Sequence, residues 1–269
     1  MLVNRQRSEA ISAFDRGLAY GDGVFRTISI KQGNPICWKR HFSKLKHDCD
    51  ALRITCPPSD LLLTEVRCLC DGQNDSIAKI IITRGVALRG YAPNPEHAST
   101  RIVSVTPMVS FDSNYFSAGI SALKCTLKLG HQPLLAGIKH LNRLENVLAA
   151  CECQEAGVPE GILEDEDGFL ISGTRTNLFW IHNSSLYTPD LKRCGVAGVQ
   201  RERVLDWATE NNVAYKVVSA RMPELVAAEE IFLVNSVIGL WPIRELPGYH
   251  RTIHPISWQI QQWLNDENH

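Results

Sequence analysis

The sequence predicts a mixed α+β (or α/β) protein of two domains: a small N-terminal α+β domain at 1–109 and a larger, β-rich C-terminal domain at 120–269. Three observations support this. At 269 residues the chain stands near the upper limit for one hydrophobic core, which favours two medium domains. Residues 1–109 alternate short extended runs with helical ones. The stretch SFDSNYFSAG at 110–119 is polar, aperiodic and rich in Ser, Asn and Gly, as a linker is.

Residues 24–30 (VFRTISI) read as a strand, and KQGNP after them supplies a hairpin turn. Trp38, Phe42, Leu45, Cys49 and Leu52 recur at three- and four-residue spacing, which lines one face of a helix over 38–52 that Pro57 and Pro58 end. Residues 59–70 form a second amphipathic helix. IAKIIIT (77–83) and RIVSVTP (101–107) are β-rich runs. Beyond the linker, 120–129 reads as a strand, and 141–156 as a helix stopped by Gly157 and Pro159. A set of short strands follows at 161–181, turning at Asp167-Gly168. Residues 202–211 and 255–265 read as helices, 215–218 and 230–235 as strands. There is no internal repeat or low-complexity tract.

Composition narrows the function classes. Apolar residues make up 44% and charged residues 21%, with 28 Lys plus Arg against 29 Asp plus Glu. A net charge of −1 provides no field that would draw the chain onto nucleic acid or an anionic membrane, so small molecules or a second copy are the expected partners. No N-terminal apolar run and no stretch of 18 apolar residues occurs, so the cytoplasm is the expected compartment. Nine scattered cysteines read as reduced thiols. The two CxC pairs, Cys68/Cys70 and Cys151/Cys153, fall in predicted helices, where residues two apart point to different faces, and no metal site is expected.

Lys139 carries the chemical interest. It follows a small apolar Ala136-Gly137-Ile138 turn and precedes a helix-forming run, with His140 and Arg143 close in sequence. Apolar surroundings and neighbouring cations are what depress a lysine from its usual pKa of about 10.4 and make it a nucleophile. Taken alone it reads as readily as a surface lysine at a helix start. Three turns expose backbone N–H groups able to hold an anion: 172–174, 195–200 and 235–237. The middle one opens a helix whose dipole favours phosphate, although an ordinary strand-to-helix connection looks the same. Arg16, Arg26, Arg40, Lys44, Arg84 and Arg89 form a reservoir of cations, and arginines on a loop can clamp carboxylates bidentately. Asp15 and Asp22 read as turn formers.

In order, DRGLAYGDGVFRT (15–27), RHFSKL (40–45), TRG (83–85), AGIKHLNRLEN (136–146), SGTRTNLFW (172–180), GVAGVQRERVL (195–205) and VNSVIGLWPI (234–243) resemble the fold type IV family of pyridoxal-phosphate enzymes. The resemblance spans nearly the whole chain. That family includes branched-chain aminotransferases, D-amino acid aminotransferases and 4-amino-4-deoxychorismate lyase, and AGIKHLNRLEN is most similar to the lyase. The resemblance implies that Lys139 carries pyridoxal 5'-phosphate as a Schiff base and later moves protons on the substrate. It implies that Asn177 helps position the cofactor ring, and that the turns at Val199-Gln200 and Ser236-Val237 donate N–H groups to its phosphate. Thr27 is implied as a proton donor or orienting group, Arg84 and Arg89 as ligands of substrate carboxylates, and a homodimer as the assembly.

Two positions depart from the family pattern. Lys44 stands where the family has a phosphate-binding arginine, and offers a point charge without the bidentate fork. Ser172 stands five residues before Asn177, where the family has a glutamate that keeps the pyridine nitrogen protonated. Serine makes the ring a weaker electron sink, which an elimination tolerates better than a reversible transamination. The expected activity is therefore conversion of 4-amino-4-deoxychorismate to 4-aminobenzoate and pyruvate. The alternatives are amino transfer, unless Glu164, Glu166 or another acid replaces the missing carboxylate, and a binding protein that has lost catalysis on this fold.

Overall fold

The computed structural model describes residues 1–70, 75–87, 90–93 and 98–265. These form two compact units. The first comprises residues 1–110 together with 138–142, and the second comprises 111–137 and 143 onward.

The first unit contains β1 (Leu2–Val3), β2 (Gln6–Arg7), α1 (Arg16–Tyr20), β3 (Gly23–Lys31), β4 (Asn34–Pro35), α2 (Trp38–Ala51), α3 (Ser59–Leu69), β5 (Ser76–Thr83) and β6 (Thr100–Pro107). Its antiparallel sheet runs β2-β1-β6-β5-β3-β4. The predicted hairpin is present, with Gln32 and Gly33 both at positive φ between paired Lys31 and Asn34, a two-residue turn of the kind that matches strand twist. Along β3 the buried Val24, Arg26, Ile28 and Ile30 alternate with the half-buried Phe25, Thr27, Ser29 and Lys31. The apolar members of the buried set pack with Leu45 and Cys49 of α2 and Leu62 and Val66 of α3 in one core cluster.

The second unit contains α4 (Asn114–Ser117), β7 (Ile120–Leu129), α5 (Leu144–Ala156), β8 (Glu160–Asp165), β9 (Leu170–Gly173), β10 (Asn177–His182), β11 (Ser185–Pro189), α6 (Val199–Glu210), β12 (Tyr215–Val218), α7 (Met222–Val226), β13 (Glu230–Asn235), β14 (Gly239–Leu246), β15 (Tyr249–His250) and α8 (Pro255–Asn265). Its sheet runs β12-β11-β10-β13-β14-β7-β8-β9, with β15 on β14. Trp241 and the stacked pair Phe179–Phe232 are fully buried in its core clusters.

Two sequence expectations change. The segment 110–119 is not a free linker: Phe111, Tyr115 and Phe116 meet the Trp241 ring edge-on, so 111–119 is built into the second unit by aromatic contacts. The second domain is also not continuous, because residues 138–142 pack with the first unit. The predicted helix over 141–156 accordingly begins only at Leu144.

Candidate active site

Gly137 sits at φ +80, a backbone region that residues with a Cβ rarely adopt. It is held in the second unit by its N–H to the Gly195 carbonyl and by its carbonyl to the Ala197 N–H, both 3.0 Å. The chain then enters the first unit at Ile138, which is 3% exposed in the core cluster of that unit. Burying such a side chain contributes about 2 kcal/mol, enough to fix the segment that follows. That segment is extended. Lys139 accepts from the Phe25 N–H at 3.0 Å and Leu141 donates to the Gly23 carbonyl at 2.9 Å, so it lies along β3 as a short antiparallel neighbour. Lys139 therefore stands on a strand edge, short of the helix that its sequence neighbours suggest.

The Lys139 N–H donates to Asp48 Oδ2 at 2.9 Å. The same oxygen accepts from Arg26 in an ion pair whose side chains are 3% and 1% exposed. Burial pulls the Arg26 guanidinium below its ordinary value and pushes the Asp48 carboxyl up, so each charge is sustained by the other. Lys44 precedes Asp48 by one turn on α2, close enough that its charge favours the Asp48 carboxylate. The Lys139 Nζ lies 4.4 Å from the Phe25 ring centroid, and Thr27 shares the Phe25 face of β3. The first unit thus gathers Lys139, Thr27 and Lys44 around two residues that sequence reasoning missed as a pair, Arg26 and Asp48.

Arg84 is corrected. Its Nε and Nη2 grip Asp22 at 2.8 and 3.0 Å, Nη2 also donates to Leu52 and Nη1 to Arg53, each at 2.7 Å. Asp22 holds Arg16 as well, at 2.8 Å. Burial acts to raise the Asp22 carboxyl, but the hydrogen bonds and charges of Arg84 and Arg16 outweigh it and hold the group below its usual range. A guanidinium with four N–H groups spent on the Asp22 turn and the end of α2 ties those segments together and has little left for a substrate carboxylate. Arg89 lies outside the described residues. Asp15 caps α1 by accepting from the Gly17 N–H at 2.8 Å, as a turn former does.

In the second unit, Asn177 ties β10 to the turn before α6. It donates to the Val196 carbonyl at 2.7 Å and accepts from the Gly198 N–H at 3.2 Å. A Cβ on Gly198 would stand 2.4 Å from Asn177 Oδ1, so glycine is required for this approach. Gly198 is the N-cap of α6 with no side-chain cap, which leaves the first-turn N–H groups at Val199 and Gln200 to an anion. The third turn differs from expectation. Asn235 Oδ1 accepts from the Val237 and Ile238 N–H groups at 2.8 and 2.9 Å, so Val237 spends its N–H on an Asx turn, with Ser236 half-buried inside it.

Ser172 lies on β9, 7% exposed, and its hydroxyl has no hydrogen-bond partner among the described residues. The acids weighed as substitutes are engaged elsewhere. Glu164 faces Lys124 at 3.0 Å and Lys128, and Glu166 meets His131 Nδ1 at 3.0 Å. Glu160, fully buried, braces the turn after Ser172 by accepting from the Thr174 N–H at 2.9 Å, the Thr174 hydroxyl and the Thr176 hydroxyl at 3.1 Å. Asn146 and Asn235 bond the Thr174 and Arg175 carbonyls at 2.7 and 3.2 Å. Glu160→Ala should cost about 3 kcal/mol by stranding these donors, and the loosened turn should weaken cofactor binding. Thermal denaturation with and without pyridoxal phosphate measures both. An unchanged melting temperature would show that Glu160 carries no such strain.

The profile of the amino-transferase class IV family matches residues 23–246. The aminodeoxychorismate lyase of Vibrio harveyi is 32% identical over 232 residues, covering 85% of this chain and 84% of its own length. The crystal structure of 4-amino-4-deoxychorismate lyase from Pseudomonas aeruginosa superposes with a TM-score of 0.94 at 38% identity, over 98% of each chain. A D-alanine aminotransferase of Bacillus licheniformis is 27% identical, over 90% of this chain and 86% of its own. With its Lys139 segment on a strand edge, its glycine-demanding turn before α6 and this match over most of its length, the chain belongs to the class IV amino-transferase family.

Proposed function

We propose that the chain converts 4-amino-4-deoxychorismate to 4-aminobenzoate and pyruvate, a step of folate synthesis, with pyridoxal 5'-phosphate attached to Lys139. Likeness to the lyases of V. harveyi and P. aeruginosa supports the substrate. The observation that carries the reaction type is Ser172: this buried position has a neutral hydroxyl, and Glu160, Glu164 and Glu166 are all held by other partners.

The residues fit the cofactor. In the second unit, the uncapped first turn of α6 offers Val199 and Gln200 N–H groups to a phosphate. In the first unit, the half-exposed Lys44 is a positive charge of the kind an anion takes. Asn177 fixes the turn that presents those donors. The turn at Ser236 adds to this set, with the Val237 N–H contributing only by sharing Asn235. When bound, pyridoxal phosphate supplies an electron sink for the carbon bearing the substrate amine.

Lys139 acts as the base at that carbon. Only the free, neutral amine takes that proton, and the extended, clamped backbone keeps it at the Phe25 ring. Cleavage of the carbon–oxygen bond to the enolpyruvyl group then makes the ring aromatic, and the leaving group takes up a proton to become pyruvate. Thr27, beside Phe25 on the same strand face, is placed to orient or protonate that group. No water and no acceptor enter the balance, since 4-aminobenzoate and pyruvate together contain every atom of the substrate.

Self-association suits this surface. Leu144, Val147 and Leu148 are 77%, 53% and 57% exposed at helical i, i+3, i+4 spacing on α5, an apolar stripe that a second copy would cover. We place the enzyme in the cytoplasm, a reducing compartment that suits its free cysteines. No described helix is long and apolar enough to cross a membrane.

Purified protein should release pyruvate from aminodeoxychorismate with no keto acid present. Amino transfer that appears only with an added keto-acid acceptor would replace the lyase reading by the aminotransferase one. Failure to take up pyridoxal phosphate, with no change in absorbance on its addition, would favour a binding protein.

A further inference from the structure

The face of the first unit's sheet that bears Phe25 and Thr27 holds a second amine. Lys79 stands on β5 directly opposite Thr27 in the antiparallel register. Cross-strand partners share a face, so Thr27 and Lys79 project together. The Lys79 Nζ lies 5.3 Å from the centroid of the Phe25 ring, the same ring that the Lys139 Nζ approaches at 4.4 Å. Four arginines of this unit are tied down: Arg16 and Arg84 share Asp22, Arg26 is buried against Asp48, and Arg101 holds Glu65 at 2.9 Å. Lys79 is exposed and has no carboxylate partner among the described residues. It is a charge with a free valence beside the reacting lysine, where Arg84 had been expected to serve.

We propose that Lys79 binds one carboxylate of the dicarboxylate substrate on the Phe25 face, next to Thr27 and Lys139. The proposal rests on the lyase reading, whose substrate bears two carboxylates. A lysine suits the task because its ammonium is a point charge on a flexible stem and follows a carboxylate that changes position as the enolpyruvyl group departs. Its contribution grows when the bound substrate displaces water from the Phe25 ring.

The test compares the pyridoxal-phosphate-loaded wild type with Lys79→Met and Lys79→Arg by steady-state pyruvate release. It adds tryptophan-fluorescence titration with chorismate, which carries both carboxylates but no amine. Lys79→Met should raise KM for aminodeoxychorismate and weaken chorismate binding, each by about tenfold or more. Lys79→Arg should restore affinity, and both variants should bind the cofactor as the wild type does. Unchanged KM and unchanged chorismate affinity in Lys79→Met would overturn the proposal and leave the lyase reading standing. A wild type that releases no pyruvate would overturn the lyase reading instead, and chorismate affinity alone would then decide the role of Lys79.

Discussion

Lys139→Ala is expected to lower pyruvate release by at least roughly a thousandfold, since it removes both the attachment point of the cofactor and the proton-transferring base. The fold should survive. The contacts that hold this segment run through the Lys139 N–H to Asp48, the Lys139 carbonyl to Phe25 and the Ile138 side chain, and alanine keeps all three. The loss is therefore chemical, and a thermal melt within a few degrees of wild type separates it from unfolding. Borohydride reduction of the wild type followed by peptide mapping should place the pyridoxyl group on Lys139 and no other lysine. Lys79 makes this demanding, because its amine lies against the same Phe25 ring. Pyridoxyl label on Lys79, or substantial turnover by Lys139→Ala, would refute the assignment.

What the sequence made legible follows from the range of the forces involved. The α2 helix is readable because Trp38, Phe42, Leu45 and Cys49 form a local stripe that must face one core. Strand β14 is not readable, since Pro242 interrupts GLWPIREL and a proline argues against a paired strand, yet it sits opposite Phe232 in the sheet. Lys139 stands out in the sequence through its neighbours, but its place on a strand edge does not, because the residues that extend it are Gly23 and Phe25, far away in sequence. The turn before α6 is legible, because its glycines and the helix they open are adjacent in sequence. Asp48 is the clearest omission. Alone in a helix it reads as a solvated acid, and its partners Arg26 and Lys139 lie 22 and 91 residues away. Arg84 shows the same limit: a loop arginine suggests a ligand clamp, and its bonds to Asp22, Leu52 and Arg53, 31 to 62 residues away, are invisible in the sequence.

The Arg26–Asp48 pair should reveal what holds Lys139. A buried ion pair is a poor investment in stability: replacing both charges by apolar residues of similar volume is often neutral or stabilising by about 1–4 kcal/mol, whereas removing one partner costs about 3–5 kcal/mol. Asp48 does something an apolar residue cannot, which is to accept the Lys139 N–H. Two variants separate these roles. Asp48→Asn keeps an oxygen for that N–H but strands the Arg26 charge, so its melting temperature should fall by many degrees while turnover at low temperature is largely kept. The double variant Arg26→Met, Asp48→Leu removes both charges and also the acceptor. Its stability should recover towards wild type, but its kcat should fall by about tenfold or more as the Lys139 backbone loses its anchor. Full turnover in the double variant would show that the β3 ladder and Ile138 suffice to place Lys139 and that Asp48 serves only to neutralise Arg26.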